Sequence, residues 1–126
     1  MYLLSNMPKR ILIADDNTTI RRLIVTMLGQ SLDQVSFAEA GDGYEAIEKT
    51  REQRPDLIIL DISMPELDGV KAARILKASI PEVPIVIFTM HDMGIDGAKM
   101  LGVDAVVTKM DGLTPLNECI QSLLPV

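Results

Sequence analysis

Five short apolar runs punctuate this sequence, and four of them end on residues that can do chemistry. Ile11-Leu12-Ile13-Ala14 runs into Asp15-Asp16, Leu57-Ile58-Ile59-Leu60 into Asp61, Ile85-Val86-Ile87-Phe88 into Thr89, and Ala105-Val106-Val107 into Thr108-Lys109. The remaining run, Val35 to Glu39, ends in nothing equivalent. Three carboxylates held close together repel one another, and without a counter-charge some would be pushed to raised pKa values. A hard divalent cation resolves that conflict, and Mg²⁺ favours one or two carboxylates together with water and a phosphate oxygen. The Lys109 ammonium adds a second positive charge. Such a set could neutralise an incoming phosphoryl group while one carboxylate attacks its phosphorus and Thr89 hydrogen-bonds the product. Taken singly, Asp16 would be an ordinary turn or cap residue and Lys109 a solvated charge; only the set carries the chemistry.

These residues are far apart in the chain, so a fold must bring them together. The continuous apolar runs, rich in β-branched residues, read as strands buried on both faces, as in a parallel sheet. Val35-Ser36-Phe37-Ala38-Glu39 alternates instead and reads as a strand nearer the edge. Between the runs lie amphipathic segments. Ile20, Leu23, Ile24, Met27 and Leu28 share one helical face, with Asn17 or Thr18 placed to cap and Gly29 to stop. A second helix runs from about Tyr44 to Gln53, and Pro55 closes it. A third places Val70, Ala73, Leu76 and Ile80 on one side, ahead of Pro81. A fourth spans about Met93 to Leu101. A fifth takes Thr114 as cap and Pro115 as its first residue, with Leu116, Cys119, Ile120, Leu123 and Leu124 on one face. Five strands alternating with five helices imply a doubly wound α/β fold, because parallel strands need helical crossovers of one hand. Sites in such sheets form at the carboxyl ends of the strands, where the reactive residues stand.

The chain has 126 residues, of which 48% are hydrophobic, enough for one domain with a real core and no disulfide or metal staples. Aromatics make up only 3%, so Leu, Ile, Val, Ala and Met must build that core. A formal charge of -6 repels phosphate backbones and argues against direct nucleic-acid binding. Cys119 is the single cysteine, which excludes an intramolecular disulfide and suits a reducing compartment, the cytoplasm by default. Its place in the apolar stripe of the last helix gives it a structural role. No apolar run is long enough to span a bilayer, and residues 1–6 lack the pattern of a signal peptide. The expected organisation is a short extension over residues 1–8 and one domain over 9–126, with no output domain.

From about Lys9 to Leu124 the sequence resembles a response-regulator receiver domain of the CheY-like superfamily. The acidic pair Asp15-Asp16, then Asp61, Thr89 and Lys109 match that family's pattern. The run Asp61-Ile62-Ser63-Met64-Pro65-Glu66-Leu67-Asp68-Gly69 is similar to its loop, in which a phosphorylated Asp is followed by Met-Pro and then Asp-Gly. The resemblance implies a flavodoxin-like sheet of order 2-1-3-4-5. It implies Asp61 as the nucleophile, with Mg²⁺ held by Asp16 and Asp61 through side chains and by Ser63 through its backbone carbonyl. Asp15 would act on a metal-bound water, Thr89 would engage the phosphoryl group, and Lys109 would ion-pair with it. A sensor histidine kinase or other phosphodonor would supply the group. A downstream protein, or a second copy of the domain, would read the face made by the fourth helix, fifth strand and fifth helix. Gly69 would relieve crowding at the start of the third helix.

Three positions depart from the family. Val106 stands where an aromatic switch residue is usual, Met110 where Pro normally follows the lysine, and bulky Met90 where a small residue follows Thr89. The stretch Thr89-Met90-His91-Asp92 resembles receivers that are joined to helix-turn-helix DNA-binding domains. Gly41-Asp42-Gly43 superficially fits a dinucleotide loop, but follows the second strand and reads as a turn capping the second helix. His91, the only histidine, is either a plain loop residue at the rim or, with Ser63, a group that tunes how water reaches the phosphoryl group. Met90, Met93, Met100 and Met110 fall in the last two strand–helix units, where methionine fills gaps or offers adaptable contacts to a partner. A binding module that keeps the fold without switching, or a relay that passes the group to a histidine elsewhere, are the competing readings. A phosphohydrolase fits less well, because Ser63 replaces a second acid two residues after Asp61.

Overall fold

The computed structural model describes residues 8–64, 68–90 and 94–124. Five parallel strands, β1 (Lys9–Ala14), β2 (Val35–Ala40), β3 (Leu57–Leu60), β4 (Ile85–Thr89) and β5 (Ala105–Thr108), form one sheet in the order β2-β1-β3-β4-β5. The helices between them are α1 (Thr18–Ser31), α2 (Gly43–Glu52), α3 (Gly69–Ser79), α4 (Gly94–Leu101) and α5 (Leu113–Leu123). A short 3₁₀ turn, Lys109–Asp111, precedes α5.

The strands are apolar along their length because both faces are covered. One face packs Leu12, Ala14, Ile58, Leu60, Ile85 and Ile87 against Ala46, Ile47, Ala72, Ala73 and Leu76 of α2 and α3. The other packs Ile11, Ile13, Leu57, Ile59, Val86 and Phe88 against Ile24 and Leu28 of α1 and Leu116 and Ile120 of α5. Edge strand β2 is half-buried until Ala40, in keeping with its alternating sequence. Register brings the strand ends level: Ala14 pairs with both Ala40 and Leu60, and Thr89 with Thr108. No helix among the described residues is long and apolar enough to cross a membrane.

Three helices are capped by side chains whose oxygen accepts a backbone N–H of the first turn. Asn17 accepts from Ile20, Asp42 from Glu45 and Asp68 from Lys71. Two expected boundaries are wrong. Gly29 does not stop α1, which runs on to Ser31 and closes with the Leu32 N–H on the Leu28 carbonyl. Two more residues bring Leu32 onto the core-facing stripe, and that gain outweighs the cost of about 1 kcal/mol for an interior glycine. Thr114 does not cap α5. Gly112, with φ of 82°, turns the chain out of the 3₁₀ segment and the helix opens at Leu113. Pro115 still falls within the first turn, where its missing N–H has no intrahelical partner to lose.

One buried group breaks the pattern of satisfied polar atoms. Among the described residues, the Thr50 hydroxyl is enclosed beneath α2 with no hydrogen-bond partner. Thr50→Val replaces it with an isosteric methyl and is expected to stabilise the fold by about 1 kcal/mol. Thermal unfolding followed by circular dichroism checks this, and an unchanged or lower Tm contradicts it.

Candidate functional site

The sheet itself places the acids. Hydrogen bonding continues one residue past the strands, with the Asp15 N–H on the Ala40 carbonyl at 3.0 Å and the Asp61 N–H on the Ala14 carbonyl at 2.9 Å. Asp15 and Asp61 are 2% and 5% exposed, so these carboxylates are nearly withdrawn from water. Each is held in the same way. Its Oδ1 accepts the backbone N–H two residues on, Asn17 at 2.9 Å and Ser63 at 3.1 Å, in the turn that Asp favours. Both Oδ2 atoms face the Lys109 Nζ, at 2.6 Å from Asp15 and 3.1 Å from Asp61.

Lys109 reaches them from the end of β5, with its ammonium 6.0 Å from the centre of the Phe88 ring. Burial alone pulls that ammonium toward neutrality. The hydrogen bonds to Asp15 and Asp61 and the charges of both outweigh it, so its pKa lies above the ordinary lysine value. The raised value means that the fold gains from the charged form. That gain is complete below the lysine pKa of the unfolded chain and is lost only as the pH climbs through the folded value. Lys109 is therefore a fixed positive charge at neutral pH.

Asp16 is exposed at the mouth of the pocket, and one oxygen of each of Asp15, Asp16 and Asp61 lies within 4.8 Å of the others. This donor set is all carboxylate, with no nitrogen or sulfur, which suits a hard cation such as Mg²⁺ rather than zinc. Thr89 is fully buried at the end of β4. Five residues named from sequence are thus brought to one rim of the sheet.

Gly69 contributes by what it lacks. A Cβ built there would collide with the Asp61 carbonyl oxygen and the Ile62 Cα, and would lie 2.8 Å from the Asp61 carbonyl carbon. The Gly69 N–H also donates to the Ile62 carbonyl at 3.2 Å. The start of α3 is docked against the backbone that carries Asp61, and only glycine permits that approach.

The Ser63 side chain is exposed, while its N–H fixes Asp61. Val106 is half-buried and packs against the cluster that contains Ile85 and Ile87. Met90, Met100 and Met110 are exposed, at 58%, 78% and 78%. Met110 N–H donates to the Thr108 hydroxyl at 3.2 Å, which caps the start of the 3₁₀ turn where the family usually has proline. The described residues contain no cis peptide. His91 and Met93 lie outside the described residues. Cys119 is half-buried and burial raises its thiol pKa, in keeping with a structural side chain.

Sequence reasoning passed over Arg21. Its Nη1 donates to the Asp15 carbonyl at 2.6 Å and its Nε to Glu39 at 3.0 Å. Nothing local marks it, since an arginine on the polar side of α1 looks like any solvated charge.

Residues 11–121 match the family model described as the response regulator receiver domain. The response regulator protein VraR of Staphylococcus saprophyticus is 32% identical over 117 residues, covering 91% of this chain and 56% of its own. A two-component response regulator of the LuxR family from Aurantimonas superposes with a TM-score of 0.83 at 28% identity, over 93% of this chain and 85% of that one. The response regulator TrrA of Thermotoga maritima, solved in complex with Mg²⁺-BeF, does so with a TM-score of 0.82 at 29% identity, over 92% and 99%. Curated relatives are longer, and the chain spans only 26% of one protein-glutamate methylesterase/protein-glutamine glutaminase that it matches. Fold, site geometry and these matches agree: the chain belongs to the response regulator receiver domain family of two-component signalling.

Proposed function

We propose that Asp61 accepts a phosphoryl group in a Mg²⁺-dependent reaction and that the resulting charge switches a protein-interaction surface. The observation that carries this reading is the Lys109 ammonium shared between the buried carboxylates of Asp15 and Asp61, with Asp16 beside them at the mouth. A sensor histidine kinase or a small phosphodonor presents the group. A carboxylate oxygen of Asp61 forms a bond to phosphorus while the bond to the donor's nitrogen or oxygen breaks, and the electron pair leaves with the donor. Lys109 turns from Asp61 to the transferred group, and the Thr89 hydroxyl donates to one of its oxygens. Asp16 and Asp61 with the Ser63 carbonyl would hold Mg²⁺, with Asp15 acting through a bound water, and the ion would supply positive charge against the phosphoryl oxygens. TrrA, crystallised with Mg²⁺-BeF, supports carrying the ion over to this pocket.

The acyl phosphate brings a charge of about −2. It biases α4, β5 and α5, the face that a downstream protein or a second copy would read. Exposed Met90, Met100 and Met110 lie on these last two strand–helix units and offer adaptable contacts. Ser63, Met90 and His91 tune the access of water, and hence the lifetime of the phosphorylated state. Val106 favours a second reading, a module that binds partners without switching, because no aromatic side chain is there to move with Thr89.

Intact-protein mass after incubation with acetyl phosphate separates the two. A single phosphate adduct that requires Mg²⁺ and is absent in Asp61→Asn is expected. No adduct in the wild-type protein would favour the non-switching module.

A further inference from the structure

We infer that Arg21 is a positioning residue for the metal-binding carboxylates, acting through the backbone of the turn that carries Asp15 and Asp16. The inference rests on the phosphoryl-acceptor reading and assigns to it a residue remote from the reacting atoms. The turn between β1 and α1 has to hold one buried and one exposed carboxylate in fixed relation. The Asp15 side chain is fixed by Asn17 and Lys109, but Asp16 at the mouth depends on the path of its backbone. That path is held from behind. Arg21 Nη1 donates to the Asp15 carbonyl, the peptide that leads directly into Asp16, at 2.6 Å. Its Nη2 lies 3.3 Å from the Thr18 hydroxyl, and its Nε donates to Glu39 at 3.0 Å. One planar group thus ties the metal-bearing turn, the first turn of α1 and the end of β2 together.

The guanidinium is mostly enclosed, with the Arg21 side chain 15% exposed. Three bonds in directions fixed by one plane make this a rigid strut, which the point charge of a lysine cannot reproduce. Arg22 also approaches Glu39, at 3.4 Å, but its side chain is 72% exposed and none of the described bonds links it to the turn. The two adjacent arginines therefore have different duties, and substitutions at Arg22 supply the control.

Residues that orient metal ligands from behind typically change metal affinity by about 10- to 100-fold when lost. Calorimetric titration of Mg²⁺ into the full chain tests this, with thermal unfolding of each variant measured alongside. Arg21→Gln is expected to weaken Mg²⁺ binding by about 10-fold or more, and Arg21→Lys by a smaller but clear factor. Arg22→Gln is expected to bind as the wild type does. Should Arg21→Gln fail to fold, Arg21→Lys carries the test. A variant at Arg21 that lowers Tm yet binds Mg²⁺ with wild-type affinity would overturn the inference and leave Arg21 a structural residue. Full affinity in Arg21→Lys would overturn the role of the planar fork. Failure of the wild-type protein to bind Mg²⁺ would overturn this inference and the phosphoryl-acceptor reading together.

Discussion

Lys109→Met is expected to lower stability at neutral pH by about 3 kcal/mol and to slow phosphoryl transfer by about 100-fold or more. Both effects come from the same atoms. In the wild-type protein one ammonium lies between two carboxylates whose side chains are only 3% and 6% exposed. Removing one partner of a buried ionic cluster is costly because the charges left behind have neither water nor a counter-ion. Here two like charges are left, and they face each other. Asp15→Asn added to Lys109→Met should therefore recover much of the deficit. The kinetic loss follows from removing a fixed charge aimed at the group being transferred. Urea unfolding in the absence of Mg²⁺ and the rate of adduct formation measure the two effects. Stability within about 0.5 kcal/mol of wild type would show that the pocket is far wetter than its geometry indicates.

The second large effect is expected at a residue with no side chain. Gly69→Ala forces a methyl group into the backbone of Asp61 and Ile62. Backbone atoms cannot rotate aside as a flexible side chain would, so either α3 or the Asp61 loop must move. The expected cost is about 3 kcal/mol, at the upper end for overpacking. Because the displaced segment carries Asp61, phosphoryl transfer to it should also fall by about 100-fold. Gly102→Ala is the control. Its φ of 71° strains an alanine, yet nothing lies within 4 Å of the added carbon. That variant should lose stability and keep its rate of phosphorylation per folded molecule. Similar rates in Gly69→Ala and wild type would show that the α3 start yields without moving Asp61.

The residues of the candidate site were legible because parallel α/β sheets expose their strand ends on one rim, and the apolar runs mark where each strand ends. Asp15, Asp16, Asp61, Thr89 and Lys109 could be placed from that rule alone. The strand order followed from the family resemblance. Helix ends were less legible, since local preference competes with packing. Gly29 carries a stop signal that Leu32 overrides by reaching the core, and Thr114 loses the capping position to the left-handed turn at Gly112. Arg21 was illegible for a different reason. Two of its partners, Glu39 and the Asp15 carbonyl, lie outside its own helix, and one of these is backbone that no side-chain pattern records. The close approach at Gly69 was half-legible: the sequence suggested crowding there, and the fold shows that the crowded neighbour is the backbone of Asp61 and Ile62.

The most direct test locates the phosphoryl group. Borohydride reduces an aspartyl phosphate to homoserine with release of phosphate, so treatment after incubation with acetyl phosphate marks the acceptor for peptide mapping. Homoserine at position 61, formed only when Mg²⁺ is present, is the expected result. Homoserine at position 15, 16 or 68 instead, or at 61 to the same extent without Mg²⁺, would contradict the account.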